Sequence, residues 1–200
     1  MRSWSLGLAV ALAVMSMANV AGAQQIGPSF DCAKGNTPVT RIICSDPELR
    51  VTDLALNQTY YALRQAQPER QQELKEEAIK SSEQVRAVCS IPASLNALPP
   101  GQQDYNTPRA RVCVKTQLQN QRAIWVNKLR QTGSSGALEE VGRSAADNLA
   151  LQGRLKAQGF LADNSVVDGV FGSVTRQAIM RFQSERGIAC LLYTSPSPRD

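Results

Sequence analysis

The sequence predicts an all-α protein in two units, a small disulfide-bonded helical domain followed by a shorter helical module. Three observations point there. Apolar residues recur at helical spacing through each well-patterned stretch. Four cysteines, Cys32, Cys44, Cys89 and Cys113, form an even set once Cys190 is set aside. A Gly/Ser-rich run, Gln131 to Gly136, separates the two patterned regions.

Composition narrows the chemistry. The chain has 200 residues, 22 Lys+Arg against 17 Asp+Glu, no His and only 5% aromatics. The absence of His removes His-based triads, His general bases and His-ligated metal sites together. A net charge of +5, scattered along the chain, does not point to nucleic acid.

The two ends stand apart from the fold. Residues 1–23 read as a signal peptide: Arg2 supplies the positive start, Leu6 to Val20 the apolar stretch, and Ala21-Gly22-Ala23 the small-residue cleavage site. That stretch is shorter than the about 20 apolar residues needed to span a bilayer. No Cys follows the cleavage site, which argues against a lipoprotein. The mature chain is therefore expected to start near Gln24 and to be periplasmic or secreted, with no stable membrane insertion after cleavage. At the other end, residues 190–200 (Cys190 to Asp200) share no periodicity with what precedes them and look like the conceptual translation of a sequencing-library adaptor.

The elements follow in order. In the first unit, residues 28–130, Asp46-Pro47-Glu48 has the chemistry of a helix start, with a capping carboxylate, a proline for the first turn and an acid to complement the dipole. Leu49, Leu56, Tyr60 and Leu63 form its apolar face, broadened by Leu54 and Tyr61. Pro68 stops this helix and opens a second, whose stripe is Leu74, Ala78, Val85, Val88 and Cys89. A Pro/Gly/Asn-rich loop runs from Ser90 to Pro108, and a third helix carries Val114, Leu118, Trp125 and Leu129. Tyr60, Tyr61 and Trp125 are expected in the core.

Four cysteines allow three connectivities. Pairing nearest neighbours, Cys32–Cys44 and Cys89–Cys113, closes the shortest loops and is the expected pattern in an exported chain. Each bond is worth about 2–4 kcal/mol to a core of this size. Zinc held by all four is the rival reading, but no closely spaced Cys pair of the zinc-knuckle kind occurs.

Residues 131–147 read as a linker, flexible to Gly136 and weakly helical from Ala137 to Asp147. From 148 to 189 the pattern sharpens. Leu149, Leu151 and Leu155 lie on a helix that Gly159 ends, with Phe160 and Leu161 placed to fold back on it. Asp163-Asn164-Ser165 and Asp168-Gly169 are turns. Ser173 is a good cap for a last helix with Val174, Ala178, Ile179 and Phe182 on one stripe and Gly187 at its end.

Two resemblances follow from these residues. Ser29-Phe30-Asp31-Cys32-Ala33-Lys34, Thr37-Pro38-Val39, Ile43-Cys44-Ser45-Asp46-Pro47-Glu48-Leu49, then Asp53 and Tyr60, resemble the N-terminal domain of LprI-type lysozyme inhibitors. From Leu74 to Leu129 the likeness is looser, carried by Cys89, Cys113 and the Gln121-Arg122 to Trp125 run, and the Trp expected near Ser82 is missing. It implies an all-helical, disulfide-bonded, exported domain. Leu151-Gln152-x-x-Leu155, Gly159-Phe160, Asp168-Gly169-x-Phe171-Gly172, Thr175, Ala178-Ile179 and Phe182-Gln183 resemble the peptidoglycan-binding-like domain, a three-helix unit of which about two helices precede the tail.

The second resemblance implies peptidoglycan as partner, with Asp168, Thr175, Arg181 and Gln183 as the candidate binding residues. Asp168 and Thr175 suit sugar or peptide hydrogen bonds; Arg181 and Gln183 suit stem-peptide carboxylates. The competing reading is that Asp168 only makes the turn and Thr175 only steadies the helix start. The first resemblance implies lysozyme, or another envelope protein, as a further partner. Between Gln24 and Arg130, however, 14 basic residues face 10 acidic ones, which suits an anionic wall polymer better than a basic lysozyme. Asp104 and the cluster Glu73, Glu76 and Glu77 are the acidic features there. No G-x-S-x-G, H-E-x-x-H or phosphate loop occurs, so no catalytic residue, metal or cofactor is expected. The expectation is a non-enzymatic envelope protein that binds peptidoglycan and inhibits lysozyme. The alternative is the targeting portion of a wall hydrolase whose catalytic domain lies beyond the visible chain.

Overall fold

A computed structural model describes residues 26–95 and 104–188. The expected signal peptide, the adaptor-like tail and the middle of the long loop lie outside the described residues. Among the described residues the protein is all-helical, with no strand. The helices are α1 (Pro38–Ser45), α2 (Pro47–Ala66), α3 (Gln71–Val88), α4 (Pro108–Gln131), α5 (Ser135–Gly142), α6 (Ala145–Ala157) and α7 (Ser173–Glu185).

Local chemistry sets most boundaries. Asp46 caps α2 as expected, its carboxylate accepting from the N–H groups of Glu48 at 2.8 Å and Leu49 at 3.2 Å. Thr107 caps α4 through Ala110 N–H, with Pro108 in the first position. Helix α1 was not anticipated from the sequence. Thr37 and Thr40 form a reciprocal capping box around Pro38, and Ile42 and Ile43 are buried against the core. Gly159, at φ +78°, closes α6: Phe160 N–H returns to the Leu155 carbonyl at 2.8 Å.

The principal core lies between α2 and α4. Leu49, Leu63, Leu74, Val114, Trp125 and Leu129 are all buried in it, with α1 and α3 packed alongside. Tyr60 lies with its ring centroid 5.3 Å from that of Trp125. The disulfides are Cys32–Cys44 and Cys89–Cys113, the nearest-neighbour pairing; the second joins the end of α3 to the start of α4 across the long loop. Two expected core residues are not there. Tyr61 and Val88 are exposed: Tyr61 lines a cleft beside α2, and Val88 is the last residue of α3.

The run expected to be flexible, Gln131 to Gly136, is instead the end of α4, a tight turn and the start of α5, and the weakly helical stretch after it continues α5. Ser134 caps α5 through Ala137 N–H at 3.4 Å, and Ala137 and Val141 join the core against α2 and α4. The small residues that looked like linker composition are what lets this short helix lie close to its neighbours.

A second core, Leu155, Phe160, Leu161, Phe171, Ala178 and Ile179, joins α6 to α7, with Phe182 edge-on to Phe160 at 5.3 Å. Gly172, not Ser173, occupies the cap position of α7, without a side-chain cap bond. Val174 points to solvent, and Thr175 and Arg176 are buried in its place. No described helix is long and apolar enough to cross a membrane.

Candidate functional site

The Asp168–Gly172 turn between α6 and α7 is organised by one carboxamide. Gln152 is 1% exposed. Its Oε1 accepts from Asp168 N–H at 3.1 Å and Gly169 N–H at 2.7 Å. Its Nε2 donates to the Val170 carbonyl at 3.0 Å and lies 3.3 Å from both Asp168 Oδ1 and Thr175 Oγ1. Four residues earlier on the same face, buried Asn148 donates to the Gly169 carbonyl at 3.1 Å. Gly169 adopts φ +83°, and a β-carbon there would meet the Ala145 carbonyl and a Leu54 methyl at 3.3 Å. Any other residue is both strained and crowded.

Asp168 and Thr175 are therefore occupied with holding the turn. Asp168 Oδ1 also accepts from Val170 N–H at 2.9 Å, and Thr175 is buried. Asp168 nonetheless lines a cleft of about 280 Å³ with Val170, Gly172 and Ser173 on one side and Ser29, Asn57 and Tyr61 of the first unit on the other. Exposed Tyr61 thus belongs to a cleft wall rather than to the core. Arg181 and Gln183 are not among that cleft's residues. The Arg181 guanidinium donates to the Phe160 carbonyl, and half-buried Gln183 has an unpartnered Oε1.

The turn is anchored to the first unit by buried polar contacts. Gln58 Oε1 accepts from Phe171 N–H at 2.7 Å, and its Nε2 donates to Glu140. Glu140 pairs with Arg176 of α7, their side chains 1% and 5% exposed. None of Gln58, Glu140, Asn148, Gln152 or Arg176 was singled out as functional from sequence. Asn148 and Gln152 left a usable signal: two amides four residues apart on a helix face that otherwise carries leucines. Gln58, Glu140 and Arg176 left none, since each acquires meaning only from partners far along the chain.

In the first unit two members of the acidic cluster, Glu73 and Glu77, are paired internally. Glu77 accepts from Trp125 Nε1 at 2.9 Å and pairs with Lys128 at 2.5 Å, while Glu73 pairs with Arg70. Burial pushes the Glu77 carboxyl up, but hydrogen bonds from Lys128 and Trp125 and the Lys128 charge outweigh it and leave its pKa lowered. Asp53 differs. Burial raises its pKa above the ordinary 3.8, despite donation from the Ser29 hydroxyl at 2.7 Å and the Ser29 N–H at 2.8 Å. No group of three or more His, Cys, Asp or Glu among the described residues is placed to hold a metal ion.

The family model described as Putative peptidoglycan binding domain matches residues 144–189. Its span starts at Ser144, the residue that caps α6, and takes in the whole Gln152-centred turn. The chain thus contains a peptidoglycan-binding domain, and this supports peptidoglycan as a partner. No curated protein and no solved structure matches the chain, and nothing found supports the LprI-type resemblance of the first unit. A peptidoglycan-binding domain together with two disulfides suits an extracytoplasmic, cell-envelope setting.

Proposed function

We propose that this is an exported, non-catalytic envelope protein held on peptidoglycan by its α6–α7 domain. The carrying observation is the domain match over 144–189, centred on a turn that Gln152 fixes from both ends of its carboxamide. A wall ligand enters the Asp168 cleft, where the outer face of the turn meets Tyr61 and Asn57. Asp168 and Thr175 act mainly by shaping this wall, and Arg181 and Gln183 serve the outer end of α7. Attachment raises the local concentration of the first unit at the wall, even where each contact is weak. There the disulfide-bonded helices shield the polymer, and inhibition of lysozyme is the activity that their resemblance implies.

Sedimentation with insoluble peptidoglycan tests the reading. The full chain is expected in the pellet at raised salt, where non-specific attraction of a basic protein to an anionic polymer is screened. Gly169→Ala, which strains the turn, is expected to leave most of the protein in the supernatant. A lysozyme lysis assay with the same two proteins then tests inhibition separately: protection of cells by the full chain supports it, and unchanged lysis removes it.

A further inference from the structure

We infer that a second cavity, on the other side of the Gly169 turn, is a subsite for a methyl-bearing secondary amide. The cavity is about 210 Å³ and lies between α2, α4, the end of α5 and the start of α6. Its apolar wall is Val51, Leu54, Ala55 and Val141. Two of its polar side chains each carry one unused hydrogen-bonding atom. Asn148 is 2% exposed and donates to the Gly169 carbonyl, but its Oδ1 has no partner. Arg122 is held by donation from Nη2 to the Val141 carbonyl at 2.8 Å, and its Nε has no partner.

A buried acceptor and a buried donor left unpaired beside an apolar wall define what fits. A carboxylate satisfies Arg122 but repels the Asn148 oxygen. An ammonium does the reverse. A secondary amide satisfies both, its N–H donating to Asn148 Oδ1 and its carbonyl accepting from Arg122 Nε. A methyl group on that amide covers the apolar wall. In peptidoglycan this chemistry occurs in the N-acetyl arm of the amino sugars and in the alanine residues of the stem peptide. The acetyl arm is terminal and enters a small cavity without carrying a chain through it. The inference rests on the wall-binding reading, which it deepens.

The test uses the full chain labelled with nitrogen-15 and three probes: an N-acetylglucosamine tetramer, its fully deacetylated counterpart, and an alanyl-alanine dipeptide amide. The acetylated sugar is expected to shift the Asn148 side-chain N–H signals in a saturable way. Its affinity is expected to exceed that of the deacetylated sugar by about tenfold, the usual discrimination from one lost hydrogen-bond pairing. Saturation by the dipeptide instead supports the same subsite and assigns it to the stem. Ala55→Leu fills the cavity and is expected to abolish the shift. Arg122→Lys keeps the charge and removes Nε, and is expected to weaken binding several-fold while the protein stays folded by its amide spectrum, so the test survives if Ala55→Leu fails to fold. Equal response to acetylated and deacetylated sugar, or no response to any probe, overturns the inference. Sedimentation on insoluble wall, run in parallel, separates the two readings. A chain that sediments while Asn148 stays silent loses only the subsite, and a chain that fails to sediment while Asn148 responds loses only the wall-binding reading.

Discussion

Both ends of the Gln152 carboxamide are committed to the turn between α6 and α7, so its removal strands several buried groups at once. Unsatisfied buried polar groups cost about 1–3 kcal/mol each, although relaxation makes such costs less than additive. Gln152→Ala is expected to destabilise the α6–α7 domain by about 3 kcal/mol in urea titration. Gln152→Glu, which keeps an acceptor but loses the donors and adds charge beside Asp168, is expected to be no better. Asp53 makes a pH-dependent contribution of definite sign. Its folded pKa lies above the ordinary 3.8, so in the window between the two values the folded state holds more proton than the unfolded state. Stability from this group therefore falls as pH rises through that window. Glu77 has the opposite sign: its lowered pKa gives stability that is present above 4.5 and lost as pH falls through the folded value. Measured as a difference, the melting temperature of wild type minus that of Asp53→Asn is expected to decrease on raising the pH through the Asp53 window. A difference that increases contradicts the burial argument.

At the scale of the element, α5 shows what sequence could and could not reveal. The caps of α2 and α6–α7 core residues such as Leu155, Phe160 and Ile179 were legible, because they depend on neighbours within one or two turns. The Gly/Ser composition before α5 read as flexible because nothing local distinguishes a linker from a small-residue helix lying against a larger one. Its burial comes from α2 and α4, and its Glu140 finds Arg176 36 residues later. The start of α7 was misplaced by one residue, since Gly172 and Ser173 both suit a cap. Val174, expected on the apolar stripe, is exposed, and the burial of Arg176 was not legible because its Glu140 partner lies far along the chain. The pair carries its own prediction. Breaking a buried ion pair from one side leaves an uncompensated charge and costs about 3–5 kcal/mol, whereas replacing both members by apolar residues is close to neutral. Arg176→Met is thus expected to destabilise the protein strongly, and Glu140→Leu added to it is expected to restore most of the loss in denaturant titration. Failure of the double variant to recover means that Glu140 and Arg176 serve other contacts more than each other.

Across the whole molecule, the two helical cores are joined by polar contacts rather than by a tether. Gln58 of α2 holds both Phe171 N–H and Glu140, and Leu54 lies against the position where Gly169 has no side chain. The nearest-neighbour disulfide pairing was legible in the sequence, whereas the packing of α5 against α2 and α4 was not. The sequence left open whether Asp168 and Thr175 bind or only hold the turn; both side chains bond within it, and the Asn148 and Gln152 carboxamides that organise it had been given no role. If the wall ligand enters the Asp168 cleft as proposed, the binding surface includes the first unit, because one face of that cleft belongs to Ser29, Asn57 and Tyr61. The central claim, that peptidoglycan is bound at the α6–α7 turn, is tested most directly by amide hydrogen exchange of the full chain with and without soluble peptidoglycan fragments. Slowed exchange is expected at residues 168–175, accompanied by the Asn57–Tyr61 stretch of α2. Slowed exchange confined to α3 and α4, with the turn unchanged, contradicts it.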